Sequence, residues 1–455
     1  MAEIRRGVIL PPSWPIWAGV AAYPLWWALG VAHVVLPMLA VPVAVYLWRH
    51  QRSTGKPLRV PPGFGLWLFF LLTVAVSAVA LDETAPGTLP PEGNGRYFAY
   101  ALRLLHYVAL TLFMLYVGNT TERTVSRATV IRAIAVLAVG VVALGLLALV
   151  MPNLAFTTPY SLVMPSWLGG GGAADASLAQ VQDIVSVAGA RPSAPFAFTN
   201  TWGEVASLTL VWLVVGWIVA GRGLRRSLGA LVVAAAIVPV VLSVNRGVWI
   251  AVLLAAGYVA VRFAVRGRAG ALLALACVAA IVGALMLATP LRAVITERVG
   301  NPHSDEVRAW LSDLSWHAAV SSPVLGYGTT RDTVGSHQSI AIGHSPECPQ
   351  CGNRVVGSTG HLWLLLISQG LVGTALYVSF FVRSLWAYRH DHSAIGVAGT
   401  LVILMSLFYL GVYSALNMPL LIVLLSVGLL WRNAEHRATA SAIARTRVPR
   451  AKVRS

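Results

Sequence analysis

In the stretch VPVVLSVNRGVWIAVLLA (238–255), two polar residues, Asn245 and Arg246, interrupt an otherwise apolar run. A guanidinium in hydrocarbon costs about 2.5–3.5 kcal/mol on insertion scales. Arg246 therefore lies at a membrane surface or has an anionic partner, and no acid stands beside it in sequence. Similar groups recur elsewhere. Arg191 precedes PSAPFAFTNTWGE, in which Asn200 and Glu204 stand at the start of the next apolar run. Arg308 lies in SDEVRAWLSDLSWHAAV, and His361 opens HLWLLLISQGLVG. Arg103 and His106 are spaced i, i+3, which puts them on one face of a helix. A guanidinium is a planar, permanently charged fork that fits phosphate or diphosphate. A histidine, with its near-neutral pKa, suits proton transfer. Singly, each residue is commonly structural. Together they make an anion site the simplest chemistry to expect.

These groups must be held by membrane-spanning helices. The chain has 455 residues, of which 57% are hydrophobic and 11% charged, with a mean hydropathy of +0.73. A soluble protein is nearer a quarter charged. Apolar runs near 13–30, 32–48, 62–81, 97–118, 129–151, 203–221, 227–244, 247–265, 270–290, 361–382, 394–414 and 417–431 are each long enough to cross or nearly cross a bilayer. The expected fold class is an all-α polytopic membrane protein of about twelve transmembrane helices, with both termini cytoplasmic. In that arrangement 24 of the 33 Lys and Arg, but only 4 of the 16 Asp and Glu, fall on the inner side. The positive-inside rule is obeyed. It accounts for the net charge of +17 without nucleic acid. The first apolar run has no small-residue cleavage site and leads into a second, unlike a cleaved signal peptide.

The chain divides into helices 1–5 (1–151), an exterior loop with a short amphipathic helix (152–202), helices 6–9 (203–290), a large exterior loop (291–360), helices 10–12 (361–432) and a basic cytoplasmic tail (433–455). Leu178, Val181 and Val185 stand at helical spacing in the first loop. Val307, Trp310, Leu311, Leu314 and Ala318 do so in the second, predicting a helix on the outer interface that turns Arg308 toward polar space. The glycine run at 169–172 lacks the Lys-Ser/Thr of a phosphate loop, so ATP hydrolysis is not expected. There is no Asp-x-Asp pair for a divalent metal. No Asp or Glu is expected in the middle of a span, which counts against proton-coupled transport. Cys277 falls within a span. Cys348 and Cys351, in CPQCG, are read as a disulfide in an oxidising exterior compartment; with His337 and His344 they also have half the makings of a zinc site.

Four stretches in order, RPSAPFAFTNTWGEVASL (191–208), SVNRGVWIA (243–251), VRAWLSDLSWHAAVSSPVLGYG (307–328) and GHLWLLLISQGLVG (360–373), resemble the O-antigen ligase and polymerase superfamily of bacterial membrane glycosyltransferases. Leu362 is a departure, since these proteins often carry a polar residue beside the histidine. The resemblance implies transfer of a glycan from a polyprenyl-diphosphate carrier to an acceptor hydroxyl, outside the bacterial cytoplasmic membrane, with no metal or nucleotide cofactor. Arg246 and Arg308 would hold the diphosphate, Arg191 would assist, and His361 would be the general base. Asn200, Asn245, Arg103 and His106 complete the expected substrate-binding set. The partners expected are the lipid-linked donor, a lipid, glycan or protein acceptor, and membrane lipids. A ligase and a polymerase are not separated by these residues. A transporter or flippase of a lipid-linked anion, and an assembly protein that docks partners through its loops, are the alternatives.

Overall fold

The computed structural model describes residues 10–163, 178–183, 191–267, 303–333 and 355–447, with four isolated positions between 269 and 276. The chain is mostly helical. Helices α1 (Trp14–Ile16) and α2 (Tyr23–Ala28) are joined by a π turn, Trp17–Ala21. They are followed by α3 (Val35–Thr54), α4 (Phe64–Val76), α5 (Gly95–Asn119), α6 (Arg127–Val150) and α7 (Pro159–Val163). Next come α8 (Thr199–Leu213), which continues as a π turn over Val214–Val219, then α9 (Leu224–Leu242), α10 (Arg246–Ala264) and α11 (His303–Ser321). The chain closes with α12 (His361–Tyr388), α13 (Ala394–Tyr409) and α14 (Met418–Arg447).

Among the described residues, seven helices are long and apolar enough to cross a membrane: α5, α6, α8 with its π turn, α9, α10, α12 and the first part of α14. The segments Phe64–Ala80 and Ala394–Tyr409 are apolar but shorter. The run expected to span at 13–30 is broken instead. Pro24 has no N–H to continue the ladder, and the Ala22 N–H reaches back to Trp17 O at 3.0 Å. Most of the run expected at 270–290 lies outside the described residues.

Helix α14 is the axis. Leu420 through Val423 are fully buried, and α14 packs on α5, α13 and α8. Small residues permit the close approach: a Cβ on Gly118 of α5 would fall 1.8 Å from the Trp431 ring. The outer helices are the reverse. Leu231 is 63% exposed, Leu253 69% and Phe69 61%. Apolar side chains spread over helix faces in this way fit lipid, because a soluble surface exposes such residues singly or in small patches.

Helix α11 extends over the expected stretch, but its stripe does not rest on an interface. Leu311 and Ala318 are buried against Ala85, Tyr327, Val356 and Ile367, and the helix packs on α12. The loop after α11 meets α12 backbone to backbone. Gly370 breaks α12 with φ 64° and ψ −166°, a region essentially limited to glycine. A Cβ there would lie 2.5 Å from Ser322 O. Gly370→Ala is expected to lose about 1–3 kcal/mol from backbone strain alone, with overpacking in addition. A clear drop in the melting temperature of the purified protein would register it; an unchanged value would mean that the loop can move aside.

The amphipathic helix expected around Leu178, Val181 and Val185 is not found where the chain is described. Strand β2 (Leu178–Gln180) pairs antiparallel with β1 (Ala155–Thr157), and β3 (Gln182–Asp183) pairs with β4 (Arg191–Pro192). Val185 lies outside the described residues. A third pair joins β5 (Arg331–Asp332) to β6 (Val355–Val356). Arg331 is 4% exposed and donates to the carbonyls of Ala80, Leu81, Glu83 and Tyr327. It ties this strand pair to the segment 80–83 that follows α4.

The expected tail begins as helix, since α14 runs on to Arg447. Its first turns are pinned by ion pairs: Arg432 to Glu122 at 2.8 Å, Arg59 to Glu435 at 2.6 Å, and Arg437 to Asp391. Burial pushes the Asp391 carboxyl up. The Ser393 N–H at 2.9 Å, Asn433 at 2.7 Å and Arg437 outweigh it, so its pKa lies below the usual carboxylate value. A carboxyl with a lowered folded pKa adds stability above its unfolded value, about 3.9, and loses it as pH falls through the folded value. The melting temperature of the wild type is expected to fall across that acid window. Asp391→Asn should be less stable at neutral pH and should show a shallower acid slope. Parallel melting curves at both pH values would remove the role given to this carboxylate.

Candidate functional site

At one end of the bundle lies a cleft of about 820 Å³. Six parts of the chain form it: α5, the start of α8, α11, Thr330 just before β5, the segment 355–359 with α12, and the turn between α13 and α14. Arg103, Asn200 and Arg308 face into it, with Tyr413 and Leu364 in the wall. Arg103 donates to Gly328 O at 3.4 Å, which anchors one side of its guanidinium. Arg308 is exposed on α11, and the apolar stripe on the other face of the helix aims it. Ser312, one turn further on, lies 3.3 Å from the Thr359 hydroxyl. Among the described residues no Asp or Glu lines the cleft. Two guanidiniums with no carboxylate between them make a site for an anion.

Asn245 supports this wall without lining it. It is 3% exposed and its amide lies 3.5 Å from Thr199 O and from Asn200 Oδ1. It thus fastens the α9–α10 turn to the start of α8. Arg246 is the first residue of α10 and is half-buried. Neither Arg246 nor Arg191, which sits on β4 with its carbonyl 3.5 Å from the Thr199 hydroxyl, is among the lining side chains. His106 turns inward: it is 4% exposed and its Nδ1 pairs with Leu102 O at 2.7 Å. The i, i+3 spacing therefore does not bring Arg103 and His106 into one site.

His361 is fully buried. Its backbone N–H donates to Tyr413 O at 2.7 Å, and that of Leu362 to Leu410 O at 2.8 Å. The α13–α14 turn thus occupies the donors at the start of α12. The ring's Nε2 lies 3.2 Å from the Tyr107 hydroxyl, and its centroid 5.3 Å from that of Tyr377. Nδ1 has no hydrogen-bond partner among the described residues. The histidine sits at the foot of an aromatic cluster of Trp67, Phe70, Tyr107 and Tyr377. It is one helical turn from Leu364 in the cleft wall.

Two residues not singled out from sequence, Tyr107 and Tyr413, belong to this region, and a third, Glu204, lies deeper than its sequence position suggested. Tyr107 follows Arg103 by one turn of α5, and that spacing was a signal. Tyr413 connects the cleft to the backbone of His361. Glu204 was placed at the mouth of its span. Helix α8 starts at Thr199, earlier than the hydropathy run, so Glu204 is the sixth residue of the helix. It is fully buried, and neither carboxylate oxygen has a hydrogen-bond partner among the described residues. Glu204 thus lies in the first third of its span, Thr199–Val219, rather than at its middle.

No group of three or more His, Cys, Asp or Glu that could hold a metal is found among the described residues. Cys348, Cys351, His337 and His344 lie outside them. Neither a protein-family model nor a curated protein matches this chain.

Proposed function

We propose that the chain is a membrane glycosyltransferase of the O-antigen ligase type. It moves a glycan from a polyprenyl-diphosphate carrier to an acceptor hydroxyl on the outer side of the bacterial cytoplasmic membrane. About twelve spans with both termini inside would place the cleft outward, as the positive-inside count favours. The observation that carries the reading is the cleft itself, in which Arg103 and Arg308 converge from 205 positions apart with no acid among the described lining residues. In the reaction the acceptor oxygen bonds to the anomeric carbon while the bond from that carbon to the diphosphate oxygen breaks. The guanidiniums offset the charge that grows on the leaving diphosphate. His361 takes the acceptor proton, and Tyr107, bonded to its Nε2 and one turn from Arg103, lies on the path from cleft to ring. Arg246, Arg191 and Asn245 hold the wall from behind. A polymerase of the same superfamily would use the same chemistry with a second lipid-linked glycan as acceptor.

Glu204 favours a second reading. A buried carboxylate within a span is a common feature of proton-coupled carriers, so a transporter of a lipid-linked anion remains the alternative. Purified protein in detergent, given lipid-linked glycan and acceptor, distinguishes them because no compartments exist there. A new glycosidic bond is expected. Binding of the donor without bond formation would leave transport as the better account.

A further inference from the structure

A second cavity, of about 580 Å³, lies at the other end of the bundle. Gly216 on its wall is sixteen residues along the α8 segment from Asn200 in the cleft, roughly 24 Å at 1.5 Å per residue. The cavity is enclosed by the start of α6, the π turn after α8, the start of α9 and the start of α13. Its floor is apolar, with Ile131, Val215 and Val219. Its rim carries three guanidiniums, Arg127, Arg132 and Arg225, and a single carboxylate, Glu122. That carboxylate is already taken, by Arg127 at 2.7 Å and Arg432 at 2.8 Å. Arg127 also donates to Asn433 at 2.6 Å. No ion pair or hydrogen bond is found for the side chains of Arg132 or Arg225 among the described residues. The cavity is therefore a net positive mouth over an apolar wall. The wall continues onto the outside of the bundle, where Val219 is 64% exposed, Leu224 76% and Leu231 63%.

We propose that this cavity binds the phosphate of an anionic phospholipid, with Arg132 and Arg225 holding the phosphate oxygens and the acyl chains lying along Val219 and the exposed face of α9. A free phosphate ion would use the same guanidiniums but would have no use for the apolar wall. A basic pocket between helices at the inner surface is a physically suitable place for such a headgroup. The site is separate from the glycan cleft in position and in ligand. Its test reads no transfer activity, so its failure would leave the proposed reaction untouched.

The full chain, purified and stripped of lipid in detergent, would be titrated with phosphatidylglycerol, phosphatidylcholine or inorganic phosphate while its melting temperature is followed. Phosphatidylglycerol is expected to raise it, and the other two to do so far less. The double variant Arg132→Gln/Arg225→Gln should need at least tenfold more phosphatidylglycerol for half of the effect, since each lost charge-assisted bond is a sizeable loss. Arg222→Gln/Arg226→Gln removes equal charge from exposed positions in the same turn and should leave the titration unchanged. Should the first double variant prove too unstable to melt cleanly, phosphatidylglycerol carried through native mass spectrometry by each single variant gives the same comparison. Equal binding by wild type and the Arg132/Arg225 variant would overturn the proposal, as would equal weakening by the control pair. Inorganic phosphate or phosphatidylcholine matching phosphatidylglycerol would also overturn it.

Discussion

Arg308→Ala is expected to lower the rate of glycan transfer by about two to three orders of magnitude, the loss typical of removing one donor that stabilises developing negative charge. The effect should fall on kcat more than on KM, because the charge on the diphosphate leaving oxygen is greatest in the transition state. Arg308→Lys should recover part of the rate, keeping the charge but losing the planar fork. Melting should barely change. Arg308 is exposed, while the stripe that holds α11 runs through Leu311 and Ala318 on the buried face. A variant with near-normal kcat, assayed with saturating lipid-linked donor, would remove Arg308 from the reaction and leave Arg103 as the cleft's remaining guanidinium.

His361→Ala is expected to reduce transfer by about two to four orders of magnitude, the range for loss of a general base. The buried ring packs on Tyr377 and Tyr107, so this variant also leaves a cavity. His361→Gln, which fills more of the space, serves as its control. Both should be slow, but only His361→Ala should melt markedly lower. Tyr107→Phe tests the path between cleft and ring, as it removes the hydroxyl 3.2 Å from Nε2 and keeps the aromatic packing. A slow Tyr107→Phe would place that hydroxyl in the proton's route, whereas normal turnover would mean that the acceptor reaches the ring directly. Transfer at the wild-type rate by well-folded His361→Gln would sink the base role altogether.

The apolar helices were legible in the chain because hydropathy is a local property. The runs at 97–118, 129–151, 227–244 and 247–265 reappear within a few residues as α5, α6, α9 and α10. The stripe from Val307 to Ala318 likewise marked α11. Leu178 and Val181 misled for the converse reason. Their helical spacing is real, but β1 offered Leu178–Gln180 backbone partners from another part of the chain, and long-range pairing overrode local pattern. The π turns after Ile16 and Leu213 also left no mark in the hydropathy.

The candidate site divides in the same way. Residue type and charge sufficed to single out Arg103, Asn200 and Arg308, because a charged or amide side chain in a hydrophobic chain must find water, a partner or a ligand. Which of them share a cleft was decided by the tertiary structure. Sequence spacing grouped Arg103 with His106, yet α5 turns one to the cleft and the other inward. The same packing encloses His361 behind the α13–α14 turn and buries Glu204 within α8. The sequence by itself determined which segments can live in lipid and which groups are costly there, since both follow from each residue's own transfer free energy. The tertiary structure alone decided which of those groups meet, because that depends on how helices from distant parts of the chain rotate and pack against one another.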